Sequence, residues 1–297
     1  MIHRGSAAGS EPETQTLQDY MRSIFADQRG PGDADAAPAD TTGLMISLHS
    51  YGKWVLFPWG WNSAPSPNLA QLQTLGRKFG FYTNYVVCQS GSSGCIYQTD
   101  GTTDDWAYGE LGIAAYTFEL GTEFFESCSY FDTDIIEQLL TTLTVAAKTA
   151  RLPYQAPAGP EIVDAVAEPA CVAAGDPVTL TVTADDSRFA SNDPYFGSEP
   201  IQNIAAVSYT VDLPSWVSGA VATSMATVDG FDGPVEPAVA LVTTQGWSDG
   251  RHQLFIEGQD AAGNVGVPTA VFVTIDADCE QSGAGWSSYL PVVAQNE

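Results

Sequence analysis

Three short stretches hold residues whose types and placement suit metal-binding and proton-transfer chemistry. In Ser47-Leu48-His49-Ser50-Tyr51 an apolar run opens into a polar, aromatic turn. A histidine at the carboxyl end of a strand can offer a ring nitrogen to a metal ion; a structural histidine is the alternative. In Ala115-Tyr116-Thr117-Phe118-Glu119-Leu120 a carboxylate ends a run that reads as buried. Burying a carboxylate is costly unless it is paired or at work, and a raised pKa there suits a general base. A strand-end residue looking at solvent is the alternative. The third stretch, Ile96 to Gly109, opens into a Gly- and Thr-rich loop that ends in a short helical turn carrying Asp104, Asp105, Trp106 and Tyr108. The two aromatic residues would pin that loop to a core whatever else it does.

The elements that must position these residues alternate between helix and short strand. Ser10, with Glu13 three residues on, reads as a capping box opening a helix whose apolar face is Leu17, Tyr20, Met21, Ile24 and Phe25. Residues 27–42 read as a loop. Gly43–His49 is an apolar run of the kind expected for a strand covered on both faces. Trp54–Pro58 is a second apolar piece, Asn68–Phe79 a helix, Cys95–Gln98 and Ala114–Leu120 strands, and Asp134–Arg151 an amphipathic helix stopped at Pro153. Such interleaving predicts an α/β sheet. Beyond the Pro/Ala/Gly linker Pro153–Pro160 the helical spacing disappears. Val178–Ala184, Ala205–Leu213, Val239–Thr244, Gln253–Gly258 and Ala270–Ile275 read as strands, with Asp260–Asn264 as a hairpin turn. An all-β sandwich of immunoglobulin-like type fits best. The expected domains are therefore 1–153, a linker at 154–160, a sandwich at 161–277 and a tail at 278–297, whose apolar patch is Tyr289–Val293.

Charge excludes several function classes. Ten basic residues face 36 acidic ones, a net charge of −26 over 297 residues. Nucleic acid and anionic membrane surfaces both require the opposite sign. An acidic field keeps a protein solvated and draws cationic peptides toward it. No run approaches the length of a membrane-spanning helix. Cys88 and Cys95 have a spacing that suits a local disulfide, and Cys171 and Cys279 one that staples the second half, leaving Cys128 over. That usage suits a secreted chain; a cytosolic chain with five free thiols is the alternative.

Taken together, His49-Ser50-Tyr51, Phe57-Pro58-Trp59-Gly60-Trp61, Ile96-Tyr97-Gln98 and Thr117-Phe118-Glu119-Leu120 resemble, in content, order and spacing, the zinc carboxypeptidases of the carboxypeptidase A/B/T type, peptidase family M14. The resemblance covers about His3 to Pro153. It implies an incomplete carboxypeptidase-type mixed sheet with helices, followed by the sandwich. It also implies one Zn2+ ion with His49 as a ligand, and Glu119 as the base that deprotonates the attacking water and passes the proton to the leaving amine. Tyr97 would close over the substrate's terminal carboxylate, and Ser50 and Tyr51 would line the cleft. Asp104 would read the departing side chain, favouring terminal Lys or Arg through a charge-assisted contact. The substrate would be the C-terminus of a peptide or protein.

The family's remaining zinc ligands come from a His-x-x-Glu motif, and its substrate carboxylate is gripped by an Asn-Arg pair. His3, His49 and His252 are the three histidines, none is followed by Glu three residues later, and Asn-Arg does not occur. His3-Arg4-Gly5 resembles the loop that follows the Asn-Arg pair. The expectation is therefore of an enzyme fragment, inactive as written, whose signal peptide went with its front. The alternative is a non-catalytic extracellular binding or adhesion protein made of a decayed peptidase half and an immunoglobulin-like module, whose ligand the sequence does not name.

Overall fold

A computed structural model describes residues 5–227 and 230–279; His3 and the apolar patch Tyr289–Val293 lie outside the described residues. The chain forms two compact units, one from residues up to Pro157 together with Phe189–Glu199, the other from Ala158–Arg188 and from Pro200 onward.

The first unit runs α1 (Pro12–Ile24), β1 (Leu44–Ser50), β2 (Trp54–Phe57), α2 (Leu69–Thr83), β3 (Val86–Gln89), α3 (Thr103–Trp106), β4 (Ala114–Leu120), α4 (Cys128–Tyr130) and α5 (Ile136–Thr149). Its four-stranded sheet has the order β1-β4-β2-β3. The sheet is mixed: β1 is parallel to β4, β4 antiparallel to β2, and β2 parallel to β3. This agrees with the α/β expectation, and β4 falls on the expected bounds.

β4 lies between two neighbours, and Ala114 to Phe118 are all buried. Helix α2 packs Leu72, Leu75 and Phe79 into the same core. Gly76 lets α2 close on the sheet, since a Cβ there would meet a methyl of Val87 at 2.7 Å. The helix ends at Asn84, whose left-handed φ of 53° and amide bond to Gly80 form a C-terminal cap. The long loop before β1 is tied down by Arg29. Its guanidinium donates to the carbonyls of Gly109 (2.7 Å) and Gly32 (2.8 Å) and lies over the rings of Trp59 and Tyr108.

Four expectations in this unit change. The capping box does not form: Pro12 takes the first helical turn, Glu11 becomes the cap, and the Ser10 hydroxyl bonds Glu11 instead. Strand β1 is an edge strand and is half-buried to exposed, with Leu48 in solvent, instead of being covered on both faces. Cys95–Gln98 is loop, and the strand of that region is β3, which follows α2 after two residues. The last helix begins earlier than Asp134, because α4 and a wide π-type turn at Phe131–Ile135 lead into α5.

The second unit contains β5 (Glu161–Glu168), β6 (Cys171–Val172), β7 (Val178–Asp185), β8 (Ile204–Val211), β9 (Thr223–Ser224), β10 (Val235–Val242), β11 (Gly250–Asp260) and β12 (Thr269–Ile275). A three-stranded sheet β10-β7-β5 and a five-stranded sheet β6-β12-β11-β8-β9 enclose one core. Alternation explains the facing: Val178, Leu180 and Val182 point inward while Thr179 and Thr181 point out. Asp260–Asn264 makes the expected turn, closed by a 3.0 Å bond from the Asp260 amide to the Asn264 carbonyl. β5 and β6 were not expected from the sequence.

Disulfides join Cys88 to Cys95 and Cys171 to Cys279, and Cys128 is free and exposed. The second spans 108 residues. In the chain-entropy model closing such a loop stabilises the fold by about 4 to 5 kcal/mol. Thiol titration is expected to find one reactive group in the native chain and five after reduction and unfolding.

His252 is held by two acceptors, the Asp212 carboxylate at Nδ1 (2.6 Å) and the Ser248 carbonyl at Nε2 (2.9 Å). Both bonds are satisfied at once only by the imidazolium, which has two N–H donors. Burial opposes that charge, but the Ser248 carbonyl and the Asp212 carboxylate raise the His252 pKa above 6.5. A raised folded value means the stabilisation is full below the unfolded pKa and is lost as pH rises through the folded one. The melting temperature of the second unit is therefore expected to fall on going from pH 6 to pH 9. The His252→Leu variant should flatten that dependence, and an unchanged slope would contradict the assignment.

Candidate active site

The pairing of β1 with β4 fixes the geometry of the site. Their register sets Leu44 opposite Ala114 and continues to His49 opposite Glu119. Side chains at matched positions of adjacent strands emerge on the same face, so both residues project together at the strand ends. His49 Nδ1 lies 3.9 Å from Glu119 Oε1, and His49 Nε2 is 3.0 Å from the hydroxyl of Ser47, two residues back on the same strand. The Glu119 side chain is 21% exposed and that of His49 54%. Burial raises the Glu119 pKa above its ordinary value of 4.5, and His49 partly offsets this.

The other expected residues lie on the loops around that edge. Ser50 is exposed beside Leu120. The Tyr51 ring stands edge-on to Phe124, with centroids 4.8 Å apart. Tyr97 is 77% exposed, on the loop that follows the Cys88–Cys95 disulfide. Helix α3 packs alongside β1 and β4 and carries Asp104, which is buried and accepts the amide of Asp105 at 2.9 Å. Among the described residues no recorded hydrogen bond, ion pair or ring contact joins Tyr97 or Asp104 to the His49–Glu119 pair. The structure thus brings two expected residues into one pair and leaves the rest on adjoining segments.

Three neighbouring residues were given no role from the sequence. Ser47 holds the imidazole from below. Phe124 supports Tyr51, and its signal was an aromatic pair, Phe124-Phe125, in an acidic exposed loop. Asp105 receives the amides of Gly60 (2.8 Å) and Trp61 (3.2 Å), which anchors the aromatic segment to α3. Burial, then the neighbouring Asp104 charge, push the Asp105 pKa up to about 6 against those amide bonds.

Catalytic zinc takes three protein ligands and leaves one open position. Among the described residues no group of three or more His, Cys, Asp or Glu could hold a metal ion. His49 and Glu119 by themselves do not make such a site.

Comparison with known proteins bears on the first unit. Residues 2–140 match the family model described as zinc carboxypeptidase. Carboxypeptidase A1 of Rattus norvegicus is 28% identical over 160 residues, covering 51% of this chain and 35% of that protein. Mast cell carboxypeptidase A of Homo sapiens is 32% identical over 125 residues, covering 40% of this chain and 26% of that protein. The chain thus spans about a third or less of the length of these relatives. A PKD domain of an M14-like peptidase from Thermoplasmatales archaeon SCGC AB-540-F20 aligns with 39% of this chain and 91% of its own at 13% identity. Its TM-score of 0.23 is too low to carry an argument. The family match and the relatives support zinc carboxypeptidases, peptidase family M14, for that part of the chain.

The His49–Glu119 pairing has a direct readout. In the His49→Ala variant the Glu119 carboxyl, followed by carbon NMR, is expected to titrate at higher pH than in the parent, because the offsetting charge is gone and the burial remains. A downward shift would contradict the geometry.

Proposed function

We propose that the first unit is the part of a metallocarboxypeptidase that carries the general base, and that it works on the C-termini of peptides. The observation that carries this is the His49–Glu119 pair, set by strand register at 3.9 Å inside the stretch that matches the family model. Zinc, where a complete ligand set holds it, supplies a polarising charge at the scissile carbonyl. His49 is the ligand this unit contributes. The part played by Glu119 follows from its own environment. A half-buried carboxylate with a raised pKa accepts a proton from the attacking water and returns it to the leaving amine more readily than an exposed one. Tyr97, exposed on its loop, is free to close over a bound terminus. Ser50 and Tyr51 line the approach, with Tyr51 stiffened by Phe124. Asp104, buried beside β1 and β4, is read as selecting terminal Lys or Arg by charge.

Secretion is part of this reading, since the two disulfides need an oxidising compartment. The second unit is read as an immunoglobulin-like accessory module. The chain is read as inactive, because His49 is the one zinc ligand it is expected to supply and no group of three donors gathers among its described residues.

In an enzyme containing this unit and a complete ligand set, peptides ending in Lys or Arg should be cleaved faster than those ending in Phe. Glu119→Gln should lower kcat by about 100- to 10,000-fold there. A preference for terminal Phe would remove the role given to Asp104. The chain itself, supplied with zinc and a peptide ending in Arg, should release no more Arg than its Glu119→Gln variant. Release that vanishes in the variant would overturn the inactivity.

A further inference from the structure

Residues 189–199 interrupt the second unit in sequence yet pack entirely as part of the first. They lie against α2 and β3. The amide of Ala190 donates to the carbonyl of Arg77 at 3.0 Å and that of Asn192 to Tyr85 at 3.1 Å. The Ser191 hydroxyl accepts the amide of Val87 at 3.0 Å. Because β3 is the outer strand of its sheet, the Ser191 bond occupies the Val87 amide, a group that an edge strand otherwise leaves open.

Charge makes the contact specific. Arg77 and Lys78 are both buried, in a chain with ten basic residues in all. Arg77 Nη1 meets Glu199 Oε2 at 2.7 Å, and Nη2 donates to the Phe196 carbonyl at 2.8 Å. The two side chains of this ion pair are 9% and 12% exposed. Thr74 donates to the other oxygen of Glu199 at 2.5 Å, and Gln73 to the Phe196 carbonyl at 3.0 Å. Lys78 Nζ sits over the Phe189 ring at 4.1 Å. A buried charge without a partner is strongly destabilising, so the arginine on α2 presupposes the glutamate at the end of the segment. Shape agrees with charge. A Cβ on Gly80 would lie 2.3 Å from the Ala190 carbonyl oxygen, so only glycine admits the segment there.

We infer that the α2–β3 face is a recognition surface for residues 189–199, and that the first unit depends on this strap for its stability. The peptidase-like unit is then not separable from the rest of the chain at the linker: a chain ending near Pro157 lacks part of its own unit. The interrupting segment supplies a counter-charge, an edge cover and a ring over Lys78 at once.

Hydrogen exchange on the full-length chain tests this. In Glu199→Ala, amides of residues 74–89 should exchange about 100-fold faster, the consequence of leaving a buried charge unpaired. Exchange in β7, β8 and β11 should be unchanged. The charge-swapped double variant Arg77→Glu, Glu199→Arg should recover at least part of the lost protection, which a generally misfolded protein would not. Unchanged exchange at 74–89 in Glu199→Ala, an equal loss in both units, or no recovery in the double variant would each overturn the inference.

Discussion

The register between β1 and β4 is the constraint on which the candidate site depends. Seven matched pairs run from Leu44–Ala114 to Ser50–Leu120, and the sixth sets His49 beside Glu119. A slip of one residue would turn the side chains of β1 to the opposite face and separate the pair. What opposes the slip is the packing of Leu44, Met45 and Ile46 of β1 against the core that also buries Ala114 to Phe118 of β4. The chemistry at the rim is therefore an outcome of apolar packing several residues away. Glu119 follows directly from that packing, being the first residue of its strand to emerge from the core while still shielded enough for its pKa to rise.

The two ends of this sheet are treated differently. At β3 the outer edge is met by Ser191 and Asn192, and the adjoining helix places Arg77 where Glu199 can neutralise it. At β1 the outer face is half-buried at best, with Leu48 in solvent next to the exposed His49 and Ser50. Along the same unit the face of α1 exposes Leu17, Tyr20 and Ile24 and buries only Met21. Among the described residues no group of three or more His, Cys, Asp or Glu gathers at this end of the sheet. On the proposed reading Glu119 is the base and His49 one zinc ligand, and the remaining ligands would have to come from elsewhere.

Much of this was legible because the decisive elements are local. The run Ala114–Leu120 is continuous and apolar, so its bounds and its terminal carboxylate could be read directly. The disulfide partners and the turn at Asp260–Asn264 were equally plain. The errors have physical causes. Pro12 overrode a capping box that Ser10 and Glu13 seemed to offer. Cys95–Gln98 has strand-like composition but is tethered by its disulfide, while β3 was hidden because it follows α2 after only Asn84 and Tyr85. β5 was obscured by acidic residues among its apolar ones. The strap could not be read at all: Arg77 and Glu199 are 122 residues apart, and neither sequence neighbourhood announces the other. Asp104 and Asp105 show the same limit, since adjacency gave their presence but only the fold showed that Asp105 holds the aromatic segment.

On the proposed reading this chain contributes a base and one imidazole to a carboxypeptidase-type site without itself completing a zinc site. The most direct measurement is the zinc content of the purified chain after loading and exhaustive dialysis, taken alongside a His49→Ala control. Far less than one zinc per chain is expected, with no difference between parent and control. One tightly held zinc per chain, lost on His49→Ala, would contradict it.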